Sequence, residues 1–233
     1  MKKYFVLIVA SVTFLFSSAS HMMTESRIQG RLNHVNGYSS ECVMHKFYTD
    51  TGWIRIEGEV GRNGIDGLYY KEKNGLIREV LVAESKWNTS RLGRSGKDKL
   101  IRQMSQEWIL RTMDRLKKYK PLPEYGTIKR FIEHDQYRAR LFRVYPVGSE
   151  SIQIDIYKIK NKGRNFFDTF VESKLEPINL NAPANSFERR MVAAHNECRK
   201  EALNHYFPML SKSDIEGLLK DNYIQKGDII DLL

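Results

Sequence analysis

Apolar and polar residues alternate most clearly in the first half of the chain. Trp53-Ile54-Arg55-Ile56-Glu57 has the two-residue period of a strand, and Leu68-Tyr69-Tyr70 and Ile77 to Ala83 are two further apolar runs. Glu72-Lys73-Asn74-Gly75 joins those two runs, and an Asn-Gly pair between apolar segments is the strongest short hairpin signal. Gly61 to Gly64 reads as a turn. Ahead of this meander, Ser39-Ser40-Glu41 reads as the cap of a short amphipathic helix with apolar positions Val43, Met44, Phe47 and Tyr48, ending near Thr51-Gly52. Residues 20 to 36 are polar, weakly patterned, and read as a lead-in.

Residues 88 to 98, rich in Gly, Ser, Asn and Arg, read as a loop. From Lys99 to Tyr119 the apolar residues Leu100, Ile101, Met104, Trp108 and Leu116 recur on one side, which predicts a helix that Pro121 and Pro123 stop. Ala139 to Val147 and Ser151 to Lys160 predict a second hairpin around Pro146-Val147-Gly148-Ser149. Residues 177 to 186 read as a linker, Phe187 to Tyr206 as a helix, and Ser213-Asp214-Ile215-Glu216 as a capping box opening a last short helix. The fold class is therefore α/β (α+β), a central mixed sheet flanked by helices with extra helices at the C-terminal end.

Composition narrows the class. With 41% hydrophobic and 11% aromatic residues the chain is too rich in apolar surface for a disordered tail, and two cysteines in 233 residues are too few for a disulfide-stapled mini-protein. The first residues have a signal-peptide layout: Lys2 and Lys3, an uncharged apolar run from Tyr4 to Phe16, then Ser17-Ser18-Ala19. That run is shorter than the ~20 residues a spanning helix needs, so cleavage after Ala19 and export to the periplasm or medium are expected, with no stable membrane association afterwards. Export permits oxidation of Cys42 and Cys198, which makes them a candidate disulfide whose proximity the sequence alone leaves open.

Candidate chemistry lies in GRNGIDGLYYKEKNGLIREVLVAESKW, residues 61 to 87. Asp66 begins one strand, and Glu84 and Lys86 end the next on a shared face, with Ser85 turned away. Pairing through Asn74-Gly75 brings Asp66 near Glu84. Two adjacent carboxylates repel, and a divalent cation relieves that repulsion while lowering the pKa of a bound water. Lys86 beside it is placed to orient the water or to stabilise charge on a phosphate.

Gly64-Ile65-Asp66 followed by an apolar strand ending in Glu84-Ser85-Lys86 resembles the PD-(D/E)xK, or restriction-endonuclease-like, nuclease superfamily, most closely its toxin-type branch. The resemblance covers roughly residues 37 to 147, and it departs from the commonest pattern at Ser85, where Ala or Val is more usual. It implies a restriction-endonuclease-like core, Mg2+ or Mn2+ as cofactor, and DNA rather than RNA as substrate. It further implies Glu41 as an additional metal ligand, Gln103 as a helix-borne residue supporting the site, and an immunity protein as a conceivable partner. The corresponding division is a signal peptide over 1–19, a lead-in over 20–36, a nuclease-like domain over 37–176, and a C-terminal helical extension over 177–233 packed on the same domain.

Other constellations are poorer. His195, Cys198 and His205 lack a CxxC partner, and His195, Cys198, Ala202 and Met191 fall on one helix face as a core stripe does. Glu133-His134-Asp135 reads as a solvated turn, and there is neither a nucleophile elbow nor a Walker-type phosphate loop.

The formal charge of +10 calls for an anionic partner, and removing Lys2 and Lys3 leaves +8. Residues 89 to 145 hold 15 Lys and Arg against six acids, so this one segment, next to the carboxylates, accounts for the excess. Arg91, Arg94, Lys97, Lys99 and Arg102 are its candidate nucleic-acid contacts. An exported metal-dependent nuclease follows, the competing class being a secreted basic binding protein that attaches to nucleic acid or an anionic envelope surface without catalysis.

Overall fold

The computed structural model describes residues 25–60, 63–95, 100–148, 150–163 and 165–207. Among them are four helices and a seven-stranded mixed sheet. The signal-peptide segment and the Ser213 capping box lie outside the described residues, as do Gly61 and Arg62 of the expected turn.

The sheet grows outward from the hairpin the sequence marks. Strand β4 (Gly67–Lys73) turns through Asn74 and Gly75, both at positive φ (56° and 70°), into β5 (Leu76–Trp87). Two positive φ values in succession define a type I′ turn, whose twist matches that of the paired strands. On one side β4 takes the short antiparallel strand β1 (Ile54–Ile56). On the other, β5 pairs in parallel with β8 (Arg138–Val147), Glu84 opposite Leu141 and Lys86 opposite Arg143. Antiparallel β9 (Ser151–Lys162) and β10 (Phe166–Lys174) complete the order β1-β4-β5-β8-β9-β10, with β11 (Ile178–Asn179) added to β9. The residues read as a linker thus contribute a strand.

A parallel neighbour needs a crossover connection, and helices α2 (Gln106–Tyr119) and α3 (Glu124–Glu133) supply it. They cover one face: Val80, Val82, Leu141 and Ile159 of the sheet meet Ile109, Met113, Leu116 and Ile128. The opposite face is covered by α1 (Glu25–Asp50) and α4 (Ser186–Tyr206), where Val43, Met44, Tyr48, Met191 and Val192 pack on Leu81, Ala83, Phe142 and Ile154.

Two expected boundaries are corrected. The first helix starts at Glu25, so most of the expected lead-in is helical and Glu41 stands in mid-helix, not at a cap. Leu32, Val35, Ser39, Ser40 and Val43 form its buried stripe, and the two buried serines in that stripe break the apolar pattern. The helix expected from Lys99 starts only at Gln106, because Ile101-Arg102 forms β7 against β6 (Arg94–Ser95), Met104 takes φ 71°, and Ser105 caps α2 by accepting from the Trp108 amide at 3.3 Å.

Helices α1 and α4 run antiparallel. Asp50 pairs with Arg190, Cys42 is disulfide-bonded to Cys198, Asn36 accepts from Arg199, and His34 stacks on Tyr206. His195 lies in this layer, buried, stacked 6.4 Å from Trp87, its Nδ1 without a hydrogen-bond partner. Burial, with the nearby Arg199 charge, lowers its pKa from 6.5 to about 3. The fold therefore holds His195 neutral while the unfolded chain takes up a proton near pH 6.5. Stability falls as pH drops through the window between 6.5 and 3, by about 2 kcal/mol from this residue alone between pH 7 and pH 5. Urea unfolding at the two pH values checks this: His195→Gln removes that share of the acid sensitivity, and an identical pH dependence in the variant would refute it.

The segment leading to Asp66 is held by a close backbone approach. Strands β2 (Glu59–Val60) and β3 (Asn63–Gly64) form a small ribbon, and the Ile65 amide donates to the Gly58 carbonyl at 2.7 Å. A Cβ at residue 58 would collide with the Ile65 carbonyl oxygen. Gly58→Ala is expected to cost about 2 kcal/mol or more, and a thermal midpoint within a degree of wild type would show that the ribbon yields freely.

Candidate functional site

β5 sets the site because its alternation sends successive side chains to opposite faces. Glu84 and Lys86 point to the α2 side. Ser85 points to α1, where its hydroxyl meets that of Ser40, and its amide donates to Asp66 Oδ2 at 3.0 Å. That amide fixes Asp66, two residues past Gly64, against the strand carrying Glu84. The pair the sequence singled out is thus brought together by the hairpin register, with Gly67 opposite Ala83.

Glu84 is 1% exposed. Its Oε1 accepts from Lys86 Nζ and from Gln103 Nε2, each at 2.5 Å, while Oε2 is buried without a hydrogen-bond partner. Burial pushes the Glu84 pKa well above the usual carboxylate range, the Asp66 charge pushes it further, and Lys86 draws it partly back. The raised pKa also reflects a hydrogen bond between the two carboxyl groups, a proton shared where a hard divalent cation could sit instead. Mg2+ is commonly held by one or two carboxylates and retains several waters.

Gln103 reaches this cluster, though not from a helix. It lies between β7 and the α2 cap. Its side-chain Oε1 accepts from the Gly93 amide and its own amide donates to the Gly93 carbonyl, both at 2.9 Å. It therefore ties the loop after β5 to Glu84.

Glu41 lies on α1, on the other side of Tyr69's hydroxyl partner His45. Its Oε1 lies 3.4 Å from His45 Nε2, one turn along α1, and His45 Nδ1 lies 2.6 Å from the Tyr69 hydroxyl. Burial, with the Arg55 charge, lowers the His45 pKa to about 3, so the ring is neutral at pH 7. Nε2 then donates to Glu41 and Nδ1 accepts from Tyr69. Among the described residues no three side chains of His, Cys, Asp and Glu are grouped to hold a metal ion.

A cavity of about 620 Å³ opens from Asp66 and Gln103 and is bounded by Gly93, Arg94, Arg111 and Arg115. Of the expected basic contacts, Arg94 lines it. Arg91 is exposed outside its lining, Lys97 and Lys99 lie outside the described residues, and the Arg102 guanidinium sits 4.1 Å over the Phe167 ring. Arg111 and Arg115 were missed as site residues. The signal was present: Trp108, Arg111, Thr112 and Arg115 share one helical face at spacings of three and four. Elsewhere in the basic segment Lys129 is paired with Asp114, Arg138 with Glu79, and buried Arg140 with Glu172, so its charge is not uniformly available.

Fold and site together define a mixed α/β protein with a buried carboxylate, lysine and amide cluster opening into an arginine-lined cavity. No protein-family model, curated protein or solved structure matches the chain.

Proposed function

We propose that this protein is an exported, metal-dependent nuclease of the PD-(D/E)xK kind, hydrolysing phosphodiester bonds in nucleic acid, with DNA favoured. The observation that carries the reading is the apposition of two carboxyl groups, buried Glu84 and Asp66, with Lys86 and Gln103 on the other Glu84 oxygen. Asp66 and Glu84 would hold Mg2+ or Mn2+. Glu41 is the further ligand that the resemblance implies; its Oε1 faces His45. Held there, such an ion would supply a water of lowered pKa and offset charge on the scissile phosphate. Lys86, 17% exposed, points its ammonium at the same carboxylate from the solvent side, where it can orient that water. Gln103 keeps Glu84 and the Gly93 loop in register. A toxin role, an immunity partner and the signal peptide belong to the same proposal, to which the Cys42–Cys198 bond adds support, since disulfides persist in oxidising compartments.

The test is incubation of the purified protein with plasmid, with single-stranded DNA and with RNA, in Mg2+, Mn2+ or EDTA. Cleavage that needs the metal is expected. Intact substrates under every metal tried would reject catalysis, and retained binding would then favour the basic binding protein.

A further inference from the structure

We propose that the cavity beside Asp66 is a track for an unpaired nucleic-acid strand, with two successive phosphates held on Arg111 and Arg115 of α2. The inference builds on the nuclease reading, which gives the strand its destination, but it concerns binding and stands on separate residues.

Arg111 and Arg115 are one helical turn apart, about 6 Å along the axis. An extended single strand can set neighbouring phosphates at such a spacing. Both arginines line the same cavity as Asp66 and Gln103, and Arg94 lines it as well. Their present ties are readily exchanged. Arg111, 61% exposed, is paired with Glu107 at 2.7 Å, and Arg115 donates to the Thr112 hydroxyl at 3.1 Å. An exposed pair of this kind contributes about 0–1 kcal/mol, less than a phosphate contact that releases bound counterions. The remaining acid of the lining, Asp114, is already paired with Lys129 at 2.5 Å and so repels an incoming backbone less.

Size selects the form of the nucleic acid. About 620 Å³ is the volume of a pocket that encloses a ligand of drug size. It takes one or two nucleotides of a single strand. A duplex, with two backbones held on one wide cylinder, fills such a cavity less closely, so a strand already unpaired is the form it favours, with Asp66 and the arginines lining the same space.

The test is fluorescence anisotropy in EDTA with a labelled single strand of about 12 nucleotides, a length within the usual range of single-strand sites, and a hairpin duplex of the same sequence. Wild type is expected to bind the single strand about tenfold or more tighter than the duplex. Arg111→Gln/Arg115→Gln is expected to lose about tenfold in single-strand affinity and to lower the salt slope by about 1.4, two contacts at about 0.7 each. Arg94→Gln, in β6, serves as a second variant should the α2 pair prove unstable, and is expected to lower the slope by about 0.7. Equal or tighter duplex binding, or unchanged single-strand affinity and slope in the variants, would overturn the proposal. Hydrolysis of bis(p-nitrophenyl) phosphate by wild type with Mg2+ or Mn2+ reports the metal centre without requiring the track. Hydrolysis without single-strand preference rejects the track alone, and arginine-dependent single-strand binding without hydrolysis upholds the track while rejecting the nuclease reading.

Discussion

Glu84→Gln is expected to abolish metal-dependent cleavage and, in the same protein, to raise thermal stability. The rate loss is put at about 10³-fold or more, equivalent to about 4 kcal/mol of transition-state stabilisation withdrawn with the metal. The opposite change in stability follows from the environment of the side chain. Glu84 is 1% exposed, one of its oxygens has no donor, and Asp66 lies beside it. Gln keeps the shape, cannot ionise and brings its own donor towards Asp66, relieving a burial cost of about 1–2 kcal/mol and raising the midpoint by about 3–6 °C. Lys86 loses its partner in the exchange, but at 17% exposure its ammonium can turn to water. Calorimetry in EDTA and cleavage of single-stranded DNA in Mg2+ are the paired measurements. Loss of both activity and stability would mean that Glu84 is a structural group, and undiminished cleavage would remove it from the chemistry altogether.

Opening the Cys42–Cys198 bond is expected to have the largest effect on stability. The bond joins residues 156 positions apart, so in the unfolded chain it closes a very long loop. The entropy it withholds from that state corresponds to about 5 kcal/mol, or roughly 10–20 °C in the midpoint of a domain this size. In the folded state little changes, because Arg199 still donates to Asn36, His34 still stacks on Tyr206, and Arg190 still pairs with Asp50. Reduced protein, and Cys42→Ser/Cys198→Ser, are therefore expected to keep their circular dichroism at 20 °C and to melt early. A shift smaller than about 2 °C would show that α1–α4 packing alone holds the two helices in the unfolded ensemble as well.

The β4–β5 hairpin was legible because Asn74-Gly75 permits almost no other reading. Residues 187 to 206 were legible as a helix because their apolar stripe recurs at helical spacing. The same local logic placed Asp66 and Glu84 together, since a hairpin register follows from its turn. Local logic fails where a distant element supplies the partner. The β5–β8 pairing joins residues with two helices between them, and its parallel sense leaves no mark in either strand. Helix α3 was missed between Pro123 and the His134 turn, and β10 because its exposed Phe166, Phe170 and Val171 give no clean alternation. Ile101 and Met104 carry helical spacing but belong to a strand and a left-handed residue, so Gln103 was assigned to the site on the wrong kind of element. The groove arginines were overlooked because a basic helix face reads as solvated until the element opposite it is known.

The pairing of α1 with α4 also fixes an order of events. The apolar stripe of the first described helix is covered in part by the last, and none of the contacts between them can form until everything in between has been made. Closure over so long a separation is a late and slow step in folding. A chain that emerges from its N-terminal end exposes Val43, Met44 and Cys42 without their α4 partners throughout synthesis, and completes itself only when residues 186 to 206 arrive.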